Sequence, residues 1–392
     1  PQAYSASMLA WAMYEFPESF IASGQATHAI DILRRFTSYF LRSTFRERDG
    51  RVIAFCHQVG VGTIDHNFWG PPELQKAEDF PRPARFATEE TPGSDVTAAA
   101  AALAVASLVF RHDDEKWADK CLDTARALYA FAVAYPGCAN SGGFYPSEYE
   151  WDDLAWAAIW LHIATGEASY LDDIVSEDGN RYTGFLGHIM ASTADDWYNA
   201  WVHCWNTVWS GMFVKLAQVT ENEKWTKIAQ DHVNLWAGLD GNRTVTPGGL
   251  SFLSHWGTLR YNTAAQMTAL VWAKHTGEDA YVDWAQSQME YIFGDNPIGK
   301  SYIVGFGDDW PVHIHHRAAH GSTKDNSLYI PETPSHTAWG ALLGGPTADD
   351  SYIDDIWEYT YTEVCTDYAS SLVSALAGLY SFVAIDGDGL GQ

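Results

Sequence analysis

No stretch of this 392-residue chain holds the ~20 consecutive apolar residues that a membrane-spanning helix needs, so the sequence offers no transmembrane segment. Positive charge is scarce as well: Lys and Arg total 23 against 50 Asp and Glu, a net charge of −27. Nucleic-acid phosphates and anionic lipid surfaces both bind basic faces. Neither is therefore expected as a partner. An uncharged substrate fits this balance, and the surplus carboxylates suit a hard cation. Cys56, Cys121, Cys138, Cys204 and Cys365 are widely spaced with no Cys-x-x-Cys, which excludes a zinc ribbon or a redox pair. Most are expected as free buried thiols, with one or two disulfides open to an exported chain. Strand-like alternation is rare, and no linker or low-complexity tract divides the chain. The first residue is Pro1 rather than methionine, so processing or trimming upstream is expected.

Apolar and aromatic residues are abundant. Hydrophobic residues make up 47% of the chain and aromatics 14%, with 18 Trp, 20 Tyr and 18 Phe. That is ample for a core, and it exceeds what a core of this size requires. Flat rings also stack on the C–H faces of sugars. Apolar residues recur at three/four spacing over 2–17, 27–43, 95–109, 115–133, 153–165, 206–219, 222–237, 260–275, 278–293 and 364–383, which predicts helices there. Gly/Pro/Asn-rich loops at 136–147, 238–250 and 294–321 separate several of them. Thr-Gly-Glu at 165–167 and 276–278, and Thr-Glu-Asn at 220–222, mark turns between paired helices. One all-α domain of helical hairpins, closed into a ring, is the economical way to bury so many apolar faces.

Two runs near the end carry chemistry. Residues 294–321 place His313, His315, His316, Arg317 and His320 in a Gly/Pro-rich loop, and 361–368 places Glu363 before an apolar helical stretch. Imidazole and guanidinium donors near one carboxyl suit a hydroxyl-rich substrate and a proton handed to a leaving oxygen. Together these runs resemble the signatures of glycoside hydrolase family 9, the inverting endoglucanases. The resemblance spans almost the whole chain. Residues 1–11 look like the helix that follows the family's Asp-Ala-Gly-Asp motif. Asp65-His66-Asn67-Phe68-Trp69-Gly70-Pro71 is similar to its Asp-His-x-x-Trp-Gly-Pro, and Pro92-Gly93-Ser94-Asp95-Val96 to its Pro-Gly-Ser-Asp-Val.

The resemblance implies an (α/α)6 barrel with a loop-built cleft at one end, spanning 1–392 as a single catalytic domain. It implies endo-acting, inverting hydrolysis of β-1,4-glucans by a secreted, extracellular and monomeric enzyme that binds cellulose chains or cello-oligosaccharides. Glu363 matches the general acid. Tyr368, His315 and Arg317 match sugar contacts, and His66, Trp69, Trp201, Trp256, Arg260 and Tyr261 match residues lining the cleft. His316 reads equally well as a structural histidine, and core packing stays open as the alternative for each aromatic. Thr362, Ala369 and Ile314 stand where the family has Asn, Asn and Pro.

No cofactor is implied for the chemistry, but a structural Ca2+ is, at Asp152, Asp153 and Asn206. Read as residues alone, the two aspartates are N-terminal helix carboxylates favoured by the macrodipole. The family's catalytic base is an Asp just upstream of the helix matching residues 1–16, so it is expected to lie before Pro1. An inverting enzyme needs two carboxyls ~6.5–9.5 Å apart. Two rival readings stay open: a related exo-acting or mixed-linkage glucanase, and a catalytically inactive carbohydrate-binding relative.

Overall fold

The computed structural model describes residues 1–138, 143–147, 149–190, 192–193, 202–323 and 327–385. In chain order its helices are α1 (Gln2–Glu15), α2 (Pro17–Ala22), α3 (Ala26–Ser43), α4 (Gly62–Asp65), α5 (Asp95–Phe110), α6 (Glu115–Ala134), α7 (Trp151–Thr165) and α8 (Ala168–Val175). They continue as α9 (Trp209–Thr220), α10 (Glu223–Ala237), α11 (Thr258–Thr276), α12 (Asp279–Phe293), α13 (Arg317–His320), α14 (Tyr359–Thr362) and α15 (Thr366–Tyr380). Each of the ten periodic segments read from the sequence contains a helix.

Packing closes the ring. Helix α1 lies between α5 and α15, and the circuit runs through α7, α9 and α11 back to α15. These six form the inner ring of an (α/α)6 barrel. Helices α3, α6, α8, α10 and α12 lie outside, each against its sequence neighbour. The division follows composition. In α5, the run Ala99–Ala106 is entirely buried, because small side chains let inner helices approach on every side. Outer helices bury one stripe only, as in α3 with Ala29, Leu33, Thr37 and Phe40. A charged pair sits inside: Lys215 Nζ bonds Glu15 Oε1 at 2.7 Å, with both side chains nearly covered.

The hairpin turns follow the recurring tripeptide. Gly166 and Gly277 end their helices with φ of 73° and 76°, the left-handed conformation that glycine adopts without a steric penalty. Glu221 takes the same role with φ 50°. The preceding Thr165, Thr276 and Thr220 hydroxyls donate to the carbonyls four residues back.

Some features were not legible in the pattern. Helix α8 is a short outer helix, and strands β1 (Thr44–Arg46), β2 (Val52–Val59) and β3 (Ala84–Ala87) form an antiparallel sheet in the order β1-β2-β3. That sheet borders the loop carrying α4. Among the described residues no helix is long and apolar enough to cross a membrane.

Candidate active site

Glu363 stands where the single turn of α14 ends and the chain becomes extended, with φ −60° and ψ 143°. Main-chain pairing fixes it there. Thr362 accepts from the His315 N–H at 2.9 Å, His315 and Glu363 pair as a parallel bridge, and Val364 pairs with Leu343. The loop rich in histidines and the segment carrying the carboxyl are thus held side by side.

The Trp256 indole N–H donates to Glu363 Oε2 at 2.9 Å. Trp256 is aimed by its neighbour. Gly257 has φ 65°, and any Cβ there would strike the Tyr368 hydroxyl, so the chain turns into α11 over the Tyr368 ring. Arg260 then reaches back to the Trp256 carbonyl at 3.3 Å and to Asp367 Oδ2 at 3.4 Å. Its guanidinium sits 4.9 Å from the Tyr261 ring centre and 5.0 Å from that of Tyr368.

The facing wall is built around Trp69, whose ring lies 4.8 Å from that of His315. The Trp69 N–H donates to His320 Nδ1 at 2.9 Å, and His320 Nε2 donates to the Pro331 carbonyl at 2.8 Å. Those two bonds define a neutral imidazole protonated on Nε2, and burial lowers the His320 pKa in the same sense. His316 caps α13 by accepting the Ala319 N–H at 3.1 Å, and burial lowers its pKa too. It is the structural histidine of the cluster. His315 bonds the Ile356 carbonyl through Nδ1 at 2.6 Å, which leaves Nε2 for a hydroxyl.

Arg317 is committed within the wall. It donates to Asp65 Oδ2 at 2.8 Å and to the carbonyls of Asp65 and Phe68 at 2.9 and 3.1 Å. Burial alone would raise the Asp65 pKa, but the Gln75 amide, Arg317 and Arg82 outweigh it and hold the carboxyl below its usual value.

These walls enclose a cavity of about 940 Å³, at the upper end of the ~300–1,000 Å³ typical of ligand sites. Of the residues singled out from the sequence, His66, Trp69, Trp256, Arg260, His315, Arg317 and Glu363 line it. Tyr261 and Tyr368 do not. Expected as a cleft-lining residue and a sugar contact, they instead flank the Arg260 guanidinium, and Tyr368 is fully buried beneath the Gly257 turn. Trp201 lies outside the described residues. Sequence reasoning missed Phe68, Phe144, Tyr145, Trp205, Trp357 and Tyr359, which also line the cavity. Phe68 falls inside the run Asp65–Pro71 already singled out. Trp357 and Tyr359 stand six and four residues before Glu363, a signal that proximity to Glu363 could have supplied.

At the expected cation site Asp152 is buried, and its Oδ2 accepts the Val208 N–H at 2.8 Å. Asp152 Oδ1 and Asn206 Oδ1 are both buried without a hydrogen-bond partner. Burial raises the pKa of both Asp152 and Asp153, and Asp152 then Asp95 raise that of Asp153 further. Orphaned oxygens beside buried carboxyls, whose hydrogen bonds offset only part of the effect of burial, fit a hard cation. The set is poor in charge, for among the described residues no three His, Cys, Asp or Glu side chains cluster as ligands.

Comparison with known proteins gives a consistent result. The family model described as "Glycosyl hydrolase family 9" matches residues 1–376. Endoglucanase A of Bacillus pumilus is 36% identical over 96% of this chain, and an endoglucanase of Dictyostelium discoideum is 34% identical over 97%. The chain spans 57% and 51% of those two proteins' lengths. Among solved structures, the catalytic domain of Clostridium thermocellum CelT superposes with a TM-score of 0.84 at 40% identity, covering 97% of this chain and 79% of that one. The cellulase Cel9M of C. cellulolyticum, in complex with cellobiose, gives 0.86 at 37% identity, covering 98% and 85%.

Proposed function

This chain belongs to glycosyl hydrolase family 9, and from that premise we propose that it is an extracellular, monomeric catalytic domain that cleaves β-1,4-glucosidic bonds within cellulose-type chains, with inversion. One observation carries the reading: a carboxyl, Glu363, placed by main-chain pairing at an aromatic-lined cavity and held by an indole N–H. Because the Trp256 N–H occupies Oε2, the transferable proton belongs on Oε1. As the bond to the leaving oxygen breaks, Glu363 delivers that proton. His315 Nε2 and the Arg260 guanidinium offer hydrogen bonds to sugar hydroxyls, and Trp69, Trp256 and Tyr359 offer faces for the rings. Water attacks from the opposite side of the anomeric carbon as a second carboxylate, the general base, takes its proton, which gives inversion.

Asp152, Asp153 and Asn206 would hold a structural Ca2+. The ion would supply charge to a buried acidic helix start and take no part in bond cleavage.

One observation favours a second reading, a carbohydrate-binding relative without catalysis. Among the described residues, the carboxyl lining the cavity besides Glu363 is Asp65, and Asp65 is spent on Arg317, Arg82 and Gln75. It is a poor base, so the described lining residues offer none to activate water. Release of reducing ends from cellotetraose separates the two readings.

Glu363→Gln then tests the acid. The rate should fall by about 10²–10⁴-fold on a substrate with a poor leaving group, and far less on an activated aryl cellobioside, which needs little protonation. Equal loss on both would remove Glu363 from the acid role.

A further inference from the structure

Trp339 is the most exposed large apolar side chain among the described residues, at 72%. An indole so exposed usually hangs loose, but this one is backed. A Cβ on Gly305, whose φ is 78°, would run into the six-membered ring of Trp339. The indole therefore rests against Gly305, and most of it is open to solvent. The main chain on both sides is clamped: Gly340 donates to the Val304 carbonyl at 2.8 Å and Val304 to that of Ala341 at 2.9 Å. The Trp310 ring lies 6.2 Å away, and beside it Phe306, 45% exposed, packs on Phe293 at 4.7 Å. Asp308 lies in the same turn as Trp310 and is exposed. A flat, preorganised ring with one open face and acceptor oxygens nearby matches the C–H face and hydroxyl rim of a pyranose.

One stretch of chain leads from the cleft to the patch. Residues 327–341 start at the cavity rim, where the Tyr329 ring lies 5.7 Å from that of Trp357, a lining residue. The loop then accepts His320 at Pro331, and it ends at Trp339. A net charge of −27 repels anionic partners and leaves a neutral polymer as the matching occupant.

We propose that Trp339, backed by Gly305 and flanked by Trp310, is a secondary docking platform for a β-1,4-glucan chain outside the catalytic cleft. The proposal rests on the glucanase reading of the cleft. The platform serves insoluble substrate, where a chain end or strand must be held near the loops before it enters the cavity, and it has no bearing on short oligosaccharides.

The test compares wild type with Trp339→Ala and Trp339→Phe on two ligands. Adsorption to phosphoric-acid-swollen cellulose should weaken about tenfold in Trp339→Ala, the order expected for losing one stacked aromatic, and within about threefold in Trp339→Phe. Cellotetraose affinity by calorimetry should not change in either. If wild type and Trp339→Ala adsorb equally while cellotetraose still binds, the platform is overturned and the cleft reading stands. If wild type binds neither ligand, the cleft reading fails and takes this proposal with it. A concentration-dependent dimer in sedimentation velocity that Trp339→Ala dissolves would assign this face to a second copy of the chain and overturn the proposal.

Discussion

Trp256 is asked to do two things at once, and substitution can pull them apart. Its side chain donates an N–H to Glu363 at 2.9 Å and, in the proposed reading, offers a ring to the substrate. It is 45% exposed, so roughly 100 Å² of an indole that buries ~150–250 Å² when fully covered is removed from water. At ~25 cal/mol/Å² that is about 2–3 kcal/mol, an upper value given the compactness of unfolded chains. Trp256→Ala should therefore destabilise by about 2–3 kcal/mol, and Trp256→Phe by about 1 kcal/mol, chiefly the hydrogen bond. With an unfolding entropy of ~2.1 cal/mol/K per residue over 392 residues, these losses correspond to shifts in Tm of about 2–4 °C and about 1 °C. Both variants should be folded at 25 °C.

The functional effects should divide differently. Trp256→Ala removes the ring and should raise KM for cellotetraose about tenfold. Trp256→Phe keeps a stacking face but frees Oε2, so KM should hold while kcat falls about tenfold, the worth of one hydrogen bond of about 1.4 kcal/mol. Scanning calorimetry with steady-state kinetics on cellotetraose reads all four values. An unchanged kcat in Trp256→Phe would show that the N–H does not orient the acid. A Trp256→Ala protein already unfolded at 25 °C would show that the ring is core and the cavity assignment of that wall mistaken.

Two further outcomes follow from the buried polar groups. His232 is buried, and burial, then His203 and Arg243, lower its pKa to about 3. The folded state thus refuses a proton that the unfolded chain accepts below ~6.5. Its contribution is fully present above ~6.5 and is lost as pH falls through the window down to about 3. At pH 4.5 that amounts to about 2–3 kcal/mol, so His232→Gln should flatten the fall in Tm between pH 7 and 4.5, and a slope identical to wild type would refute the assignment. For the cation, saturating Ca2+ at about 100 times its Kd should stabilise by about 2.7 kcal/mol, EDTA should reverse this, and Asn206→Asp should enlarge it. A melting temperature indifferent to both reagents would leave Asp152, Asp153 and Asn206 as a buried acidic helix start and nothing more.

Much of this molecule was legible because periodicity and burial coincide. The inner helices are apolar nearly all round and the outer ones striped, so both register at helical spacing, and Thr-Gly-Glu marks the turns through a backbone conformation that glycine favours. The sheet β1-β2-β3 escaped because its strands are short and half-exposed: β1 has three residues, and the burial of β2 alternates poorly. Helix α8 escaped because eight residues give too few repeats of the period. Within the site, motif position told which residues gather but not which way they face. Tyr368 follows Glu363 by five residues and seemed bound for the cleft. In fact α15 turns its ring inward under Gly257, a contact 111 positions away in sequence.

Arg317 shows why such distinctions matter for mechanism. A guanidinium in a histidine-rich loop reads from the sequence as a donor to substrate, and the cavity does include it. Its bonds to Asp65 and to two carbonyls, however, tie the loop carrying α13 to the loop carrying α4, and so hold Trp69 against His315. Removing its charge would leave the Asp65 carboxylate, 25% exposed, with only Arg82 and Gln75, and would loosen the wall before it cost any bond to a sugar. The residue that seemed to recognise substrate works first by keeping two loops in register. That is a role no single motif can announce, because it lies in the pairing of residues 252 positions apart.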